Sequence, residues 1–240
     1  MPELDFRIQP QPDDRSCGVT CLNAVYDYYG LDVPLPQLAL EVEHLESGGT
    51  LAVMLGCDAL RRGFKAKIYT YNLQLFDPTW FKEPKTNVAH KLLRQEVVKD
   101  DAKLKAATRR YVEYLDLGGR VRFEELTAKL IRRHLKRGKP MLVGLSATYL
   151  YQTAREYGPF DDFDDIRGEP QGHFVVLCGY DREQKTVRVA DPLLPNPMTG
   201  DSQYYNVSME RLIAAILLGI VTYDANLLVI ETKDPDTPAA

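Results

Sequence analysis

The segment from Gln11 to Gly30 constrains the fold of this chain more than any other stretch. A polar loop containing a proline leads into apolar residues spaced three or four apart, at Val19, Leu22, Val25, Tyr26 and Tyr29. This spacing predicts a helix of about three turns that ends at Gly30. Asp14 or Ser16 is expected to cap its start, so that Cys17 lies in or just before the first turn.

Cys17 would then lie where unpaired backbone N–H groups and the helix dipole stabilise negative charge. A thiolate carries such a charge, and helix N-termini favour the thiolate form of cysteines. The alternative interpretation is that Cys17 is a small buried apolar residue, as free cysteines usually are. The helix alone does not decide between the two interpretations.

Two later segments supply the partners that a nucleophilic thiol needs. Residues 172–177 have the pattern of a buried strand that begins with His173, and after a turn at residues 181–185 a second strand ends with Asp191. A hairpin of this kind can make His173 and Asp191 neighbours. A thiol nucleophile needs a base, and the base needs an orienting group. Gln11, on the loop ahead of Cys17, offers an amide donor for the oxyanion of the intermediate.

Three motifs carry a resemblance to a known family: Gln11-x-Asp13-x-x-x-Cys17-Gly18, Gly172-His173-Phe174-Val175-Val176-Leu177 and Asp191-Pro192. In these motifs the chain resembles the papain-like cysteine peptidases of the double-glycine leader (bacteriocin-processing) type. The resemblance implies that Cys17 is the nucleophile, His173 the base, Asp191 the group that orients the base, and Gln11 the oxyanion donor. It extends more weakly to Gly49-Thr50 and Gly138-Lys139-Pro140.

The resemblance also implies an α+β, papain-like fold, in which the N-terminal helix with Cys17 packs against an antiparallel sheet with His173 and Asp191. The order of elements, helices first and strands mostly later, favours the same class. We expect residues 1–240 to form a single domain, with a helical insertion at about 84–118 and a flexible tail at 233–240. No transporter segment is evident, which indicates a stand-alone form of the family.

An acidic run just ahead of the His173 strand is a candidate for substrate recognition. Such a run is usually a solvated loop, but its position beside the expected cleft suggests that it selects cationic groups on the substrate. Gly18 and Gly172 adjoin Cys17 and His173 and complete the expected substrate-binding set. The acidic members of this set are Asp161, Asp162, Asp164 and Asp165.

The cysteines are typical of reduced thiols in a cytosol, because all four lie on apolar segments rather than in loops. A zinc set of Cys17, Cys21, His173 and Cys178 is an alternative. Its spacing is longer than the usual Cys-x-x-Cys pair, and Cys178 is out of phase with His173 on a strand. We therefore expect no metal and no cofactor. The four cysteines are Cys17, Cys21, Cys57 and Cys178.

Charge and hydropathy limit the possible partners. A formal net charge of -4 gives no general reason to expect binding to nucleic acids or anionic membranes. The basic segment 87–117 contains interspersed acidic residues, which favours a solvated helix face over a nucleic-acid site. Residues 1–7 have no apolar secretory core, and the apolar run at 212–221 is too short to cross a bilayer. We expect a peptide or protein substrate and a cytoplasmic location.

Several alternatives remain open at this point. An isopeptidase or amidase, or a transpeptidase that passes the acyl group to an amine, would use the same four residues. A non-catalytic peptide-binding module could keep the same shape. Gly48-Gly49 resembles a self-processing site, although a loop before a helix capped by Thr50 is favoured. The aromatic segment 71–84 could line a substrate groove, but a cover over the core is favoured.

Overall fold

The structure, a computed structural model, describes residues 3–45 and 49–233 of the 240-residue chain. Gly48, on which the processing-site alternative depends, and the tail from residue 234 lie outside the described residues. Within those residues the α-helices are α1 Cys17–Tyr28, α2 Leu35–Glu41, α3 Ala52–Arg61, α4 Val88–Val98, α5 Ala102–Asp116, α6 Ala128–Leu135, α7 Ala147–Tyr151 and α8 Met209–Leu218. Short 3-10 helices span Pro78–Phe81 and Gly219–Thr222.

The described strands form one large sheet and one small hairpin. They are β1 Lys65–Thr70, β2 Arg120–Arg122, β3 Met141–Ser146, β4 Glu156–Tyr157, β5 Asp162–Phe163, β6 Gly172–Asp181, β7 Thr186–Ala190, β8 Tyr204–Ser208 and β9 Asn226–Glu231. Seven strands pair in the order β2-β1-β9-β3-β6-β7-β8, and β4 pairs with β5. Only the β1–β2 pair of the large sheet is parallel. The predicted α+β class with a mainly antiparallel sheet is confirmed.

Helices cover both faces of the sheet, so its middle strands are apolar on both sides. β6 alternates accordingly: Phe174 and Val176 face the core beneath α1 and α3, whereas Val175 and Leu177 face the core beneath α6 and α8. β3 is buried at every position between β9 and β6, as expected for a central strand. Polar side chains that could form a site are therefore expected at the ends of these strands, outside the two apolar cores.

Helix α1 begins and ends close to where the sequence predicts. Its apolar stripe is buried, and Gly30 adopts a left-handed φ of +80° just after the last turn. Only glycine takes up such a backbone conformation at little cost, which explains the stop. The buried stripe holds α1 against β6, and Cys21 Sγ lies 3.3 Å from the backbone oxygen of Phe174. Cys17 is thereby fixed at the sheet end where β6 begins.

The two expected helix caps are wrong. The Ser16 side chain caps nothing in α1, because its hydroxyl donates to Asp13 Oδ1 at 2.7 Å instead. Helix α3 starts at Ala52 after Leu51, so Thr50 lies one residue too early to cap it. Both helix starts are held by their packing against the core rather than by a side-chain hydrogen bond.

The structure agrees with the favoured interpretations of two segments, a cover over the core for residues 71–84 and a solvated helix face for residues 87–117. Phe76 is buried and packs edge-on against Tyr111 of α5, with ring centroids 4.8 Å apart, so this aromatic segment covers the core. Cations of α5 pair with nearby carboxylates, Lys105 with Asp100 and Arg109 with Glu96. That pairing is typical of a solvated helix face. The expected insertion at about 84–118 contains α4 and α5, and its status as an insertion stays a prediction.

Candidate active site

The loop before α1 is shaped by Asp13. Its Oδ1 accepts hydrogen bonds from the backbone N–H of Arg15 at 2.9 Å and from the Ser16 hydroxyl at 2.7 Å. These bonds, that of Ser16 first, hold the pKa of Asp13 below its usual value. Because no side chain caps the helix, the N–H groups of the first turn remain available. The half-buried Cys17 lies directly beside them.

His173 and Asp191 come together across the β6–β7 hairpin, as the sequence predicts. His173 is the second residue of β6, and Asp191 follows the last residue of β7. The distance from His173 Nε2 to Asp191 Oδ1 is 2.8 Å. This bond occupies Nε2, so Nδ1 is the ring nitrogen left to face the thiol of Cys17.

Asp191 is fully buried and accepts hydrogen bonds at both carboxylate oxygens. Oδ1 takes the His173 bond and the backbone N–H of Leu193 at 3.0 Å. Oδ2 accepts the hydroxyls of Tyr151 at 2.8 Å and Tyr205 at 2.7 Å. Burial alone would raise the pKa of Asp191, but the charge of His173 and these donors outweigh it and hold the pKa below its usual value. Asp191 is therefore a fixed negative charge behind the imidazole.

The imidazole of His173 is held in its charged form. Burial opposes that form, but the charge and hydrogen bond of Asp191 and the nearby sulfur of Cys17 outweigh burial and raise the pKa of His173 to about 10. A cation between a carboxylate and a sulfur is the pairing in which a thiolate persists at neutral pH. His173, Cys17 and Asp191 thus form one electrostatic unit.

Tyr151 and Tyr205 are site residues that sequence reasoning missed. Burial, followed by the charge of Asp191, raises the pKa of both phenols well above the usual value, so both remain hydrogen-bond donors. Tyr151 ends α7, in a region without hydrophobic periodicity. For Tyr205 the sequence gives a weak indication of burial, because the alternation of residues along β8 places it on the buried side with Val207. Neither pattern indicates contact with an aspartate.

Gln11 lies beside the Asp191 segment. Its backbone N–H donates to the carbonyl of Pro192 at 2.9 Å, which ties the loop ahead of Cys17 to the residue after Asp191. Its half-buried side chain has an Oε1 atom without a donor among the described residues. Buried polar atoms are normally paired, so this acceptor is an unsatisfied polar atom next to the segment that follows Asp191.

Gly18 and Gly172 are both places of close approach. A side chain on Gly18 would collide with Thr50 Oγ1, and one on Gly172 would collide with the buried carboxylate of Asp224 and with Thr222. Packing therefore accounts for both glycines. Contact of either one with substrate stays a prediction.

The acidic run surrounds the β4–β5 hairpin, and its members differ in what they contact. Asp164 is occupied within its own loop, since its carboxylate accepts the N–H groups of Ile166 and Arg167 and pairs with the Arg167 guanidinium at 2.6 Å. These bonds lower the pKa of Asp164 to about 2. The remaining members, Asp161, Asp162 and Asp165, are exposed.

Glu156 on β4 links this hairpin to the site. Burial, followed by the negative charges of Asp161 and Asp14, raises its pKa, while the charge of His173 opposes the shift. Glu156 is thus close enough to sense both the hairpin and the imidazole. Acidic groups from two separate segments, the hairpin and the loop with Asp14, therefore influence Glu156.

The other three cysteines are unlike Cys17. Burial raises the pKa of the Cys21 thiol well above its usual value and that of Cys57 and Cys178 to about 12. Cys21 contacts the backbone of Phe174, and the Cys178 sulfur lies 3.7 Å from the carbonyl of Arg188. The four thiols are unpaired. Among residues 3–45 and 49–233, no cluster of histidine, cysteine or acidic side chains has the geometry to hold a metal ion.

An N-terminal helix with a cysteine at its start, packed on an antiparallel sheet that contributes a histidine–aspartate pair, defines the class of papain-like cysteine peptidases. Comparison of sequences narrows the class further. The chain belongs to the Peptidase_C39 like family, whose model matches residues 3–213. It is a cysteine peptidase, a hydrolase of peptide bonds.

Solved structures resemble this chain at low sequence identity, and one of them superposes well enough to show the same fold. A candidate C39-like peptidase from Bacillus anthracis superposes with a TM-score of 0.52 and 17% identity over 96% of both chains. A double-glycine motif protease from an AMS/PCAT transporter, solved in complex with the leader peptide, superposes with a TM-score of 0.46 and 16% identity. The match covers 96% of this chain and 94% of that one. Xylellain, a cysteine protease from Xylella fastidiosa, superposes with a TM-score of 0.46 and 16% identity. The match covers 98% of this chain and 85% of xylellain. No curated protein sequence matches the chain.

None of the helices formed by residues 3–45 and 49–233 combines the length and the hydrophobicity needed to cross a lipid bilayer.

Proposed function

We propose that Cys17, His173 and Asp191 are the catalytic triad of this peptidase and that Gln11 is its oxyanion donor. The observation that supports this most is the His173 imidazole, bound to Asp191 Oδ1 at 2.8 Å through Nε2 and raised in pKa by the Cys17 sulfur near its other side. A base oriented in this way can take the thiol proton without turning its ring.

Before a substrate arrives, the proton of Cys17 has already passed to His173, which leaves the sulfur as a thiolate. Asp191 keeps Nε2 protonated, so Nδ1 is the nitrogen that receives the proton, and the resulting imidazolium is stabilised by the buried carboxylate. The sulfur then attacks the carbonyl carbon of a peptide bond. His173 returns the proton to the leaving amine, and the acyl group stays on Cys17 as a thioester.

The oxyanion that forms during the attack has two expected donors. One is the side-chain amide of Gln11, and the other is the backbone N–H of Cys17, which no side-chain cap occupies. Fixed donors of this kind stabilise the developing charge more than water does, because they need no reorganisation.

Release of the acyl group completes the cycle and can be followed directly. Water, activated by His173, hydrolyses the thioester, whereas an added amine would compete for it. We expect a peptide library incubated with the enzyme to give cleaved peptides, and the same library with hydroxylamine to give hydroxamates at the new carboxyl ends, both read by mass spectrometry. Cleavage without any trapped acyl product would argue against a thioester route.

The Gln11→Ala substitution is expected to slow hydrolysis about a hundredfold or more, because removal of one oxyanion donor costs about 2.7–4 kcal/mol in other enzymes. Alkylation of Cys17 by iodoacetamide should continue at a rate near that of the wild type, since alkylation forms no oxyanion. Single-turnover hydrolysis and labelling rates provide the measurement.

Gln9 is a matched control for Gln11 on the same loop. It is exposed, and its amide donates to Asn23 Oδ1 at 2.8 Å rather than pointing at the site. Gln9→Ala should leave hydrolysis unchanged. Equal losses of hydrolysis and labelling in Gln11→Ala would instead mean that Gln11 only positions the loop.

We also propose that acidic groups at the cleft edge select cationic groups on the substrate, with Gly18 and Gly172 lining the path of its backbone. Glu156 supports this proposal, because its pKa responds both to Asp161 of the hairpin and to His173. Asp161, Asp162 and Asp165 are exposed, so they can approach a substrate side chain. Asp164 contributes by holding the loop that presents them.

Neutralising Asp161, Asp162 and Asp165 to asparagine is expected to lower kcat/KM for substrates with lysine or arginine near the cleavage point. Exposed charge pairs are worth about 0.2–1 kcal/mol each, so the combined loss from three of them should be roughly 3- to 160-fold, and smaller at high salt. Uncharged substrates should be cleaved as before. Adding Asp164→Ala should also disorder the loop, because this change removes the oxygen that accepts its backbone N–H groups.

The control for this charge change is Asp5→Asn with Asp32→Asn and Glu83→Gln, three exposed acids on other segments. It alters the net charge equally. If the control lowered activity on basic substrates as much as the hairpin variant, general electrostatics rather than the hairpin would explain the selectivity.

We propose a cytoplasmic location as well. It is supported by the four unpaired cysteines, three of which are buried, since such thiols persist in a reducing compartment.

A further inference from the structure

A second open groove, with a volume of about 560 Å³, lies between α6 and the turn that joins β6 to β7. It is distant from the active site, because His173 begins β6 whereas Tyr180, which lines the groove, lies near the other end of that strand. Seven residues of an extended strand span about 23 Å. Nothing in the peptidase chemistry described above uses this groove.

Cationic side chains surround it from two elements. Lys129, Arg132 and Arg133 come from α6, Lys136 follows its last residue, and Arg182 comes from the β6–β7 turn. Each of the four cations at residues 129–136 lies three or four residues from two of the others, so they share one face of the helix, opposite the buried face that contains Ile131 and Leu135. The groove therefore concentrates positive charge on a chain whose net charge is -4.

Local stability does not account for this cluster. Cations near a helix C-terminus interact favourably with the helix dipole, which explains Arg132 and Arg133, but Lys129 is in the first turn, where the dipole is unfavourable. Like charges four residues apart, such as Lys129 with Arg133, cost about 0.2–0.5 kcal/mol per pair. Arg133 pairs with Glu124 at 3.3 Å.

The other cations of this face form no ion pair of that kind within the described part of the chain. Among the described residues no carboxylate is within salt-bridge distance of Lys129, Arg132 or Lys136. A groove lined by charge of one sign raises the local concentration of ligands of the opposite sign.

The floor of the groove is apolar and rigid. The Arg132 guanidinium lies 5.3 Å from the centre of the Tyr180 ring and donates to its hydroxyl at 3.1 Å. Tyr180 is itself only 8% exposed, and Leu135 is buried beside it. The guanidinium is thus held in one orientation above an aromatic surface, with the flexible lysines on the rim.

We propose that this groove binds an acidic peptide segment that contains an apolar side chain. Its carboxylates would pair with Lys129, Arg132 and Lys136, and its apolar side chain would lie against Leu135 and the edge of Tyr180. A nucleic acid fits less well, because the ring of Tyr180 is covered by Arg132 and cannot stack on a base. The negative charge of the rest of the chain also opposes a long polyanion.

Binding can be tested by fluorescence anisotropy with the Cys17→Ala protein, so that the result does not depend on catalysis. The probe is a fluorescein-labelled peptide with four glutamates around one leucine, compared with a version in which glutamines replace the glutamates. We expect only the acidic peptide to bind, and its binding to weaken as salt is raised, because exposed charges are screened within about 10 Å at 0.1 M.

Lys129→Glu with Lys136→Glu should weaken binding of the acidic peptide at least about tenfold, given two lost and reversed charge contacts. Both lysines are exposed, so the fold should be retained, as thermal unfolding can verify. Lys82→Glu with Lys85→Glu makes the same change in net charge at exposed positions on another segment and should change the dissociation constant less than twofold.

Three results would overturn the proposal. They are absence of binding by the acidic peptide, equal weakening by the two lysine pairs, and groove-dependent binding of inorganic triphosphate or single-stranded DNA in place of the peptide. Each result leaves the peptidase site untouched, since hydrolysis by the wild-type enzyme is measured separately.

Discussion

Replacing Cys17 by alanine is expected to abolish peptide hydrolysis, with a fall in kcat of about 10⁴-fold or more. No other described thiol can replace it, because the nearest one, Cys21, is fully buried and has a raised pKa. The fold should be unaffected, since Cys17 is only half-buried and loses a single atom. Initial rates and chemical unfolding of the two proteins measure both effects.

Iodoacetamide labelling provides an independent readout. At pH 7 one thiol per wild-type chain should react, and none in Cys17→Ala, because burial raises the pKa of Cys57 and Cys178 to about 12. Cys57→Ala is the matched control: it removes a buried thiol of α3, and hydrolysis and labelling should both persist. Cleavage by the Cys17→Ala enzyme at more than a trace would refute the assignment of the nucleophile.

Replacing Asp191 by alanine is expected to have the second-largest effect, on activity and stability together. The change removes the buried carboxylate partner of His173 and the acceptor for Tyr151, Tyr205 and Leu193. Breaking a buried charge pair from one side costs about 3–5 kcal/mol of folding free energy. The freed ring should also lower kcat by about 10³- to 10⁴-fold.

Asp191→Asn separates charge from orientation. An amide offers one acceptor oxygen, and the Leu193 N–H can only donate, so we expect that oxygen to face Leu193 and His173 while the two tyrosine hydroxyls rotate. The ring orientation then survives and only the charge is lost. The fall in kcat should therefore be clearly smaller than that of Asp191→Ala.

The stability difference between wild type and Asp191→Asn should depend on pH. Because the folded pKa of His173 is about 10, above the ordinary 6.5, the stabilisation from this group is complete below pH 6.5 and is lost as pH rises through 10. The folded pKa of Asp191 is below 3.8, so the stabilisation from Asp191 is present above that value and is lost at more acidic pH. The difference should thus be largest between about pH 4 and 6.5 and shrink towards pH 10.

Urea unfolding at pH 5, 7 and 9 measures this difference. Asp32→Asn, the same chemical change at an exposed position, should give no trend with pH. A constant difference for Asp191→Asn across the three pH values would mean that the two side chains are not coupled by charge.

Local patterns predicted the parts of the site that depend on the start or end of one element. The spacing of apolar residues and Gly30 located α1, and the apolar run after His173 located β6. Strand alternation and a five-residue turn then placed Asp191 near His173, because a hairpin joins neighbouring segments of chain. The motifs around Cys17, His173 and Asp191 indicated the family, and the match to its model confirms that prediction.

Contacts between distant segments were beyond such patterns. Tyr205 reaches Asp191 only because β8 pairs beside β7, and Tyr151 does so only because α7 follows β3 at the same end of the sheet. The expected caps failed for a related reason, since the packing of α1 and α3 fixes their starts without help from Ser16 or Thr50. In the acidic run, composition could not reveal that Asp164 is occupied by Arg167.

The sequence by itself determined which residue types are available for peptide hydrolysis and which elements bear them, because helix and strand formation depends on periodicity along the chain. Only the tertiary structure decided their charge states and fixed partners. The proximity of Asp191 and Cys17 raises the pKa of His173 against the opposing effect of burial, and Cys17 lies more than a hundred residues from the other two and meets them only after folding. The cationic groove beside Tyr180 likewise exists only because a turn approaches a helix from elsewhere in the chain.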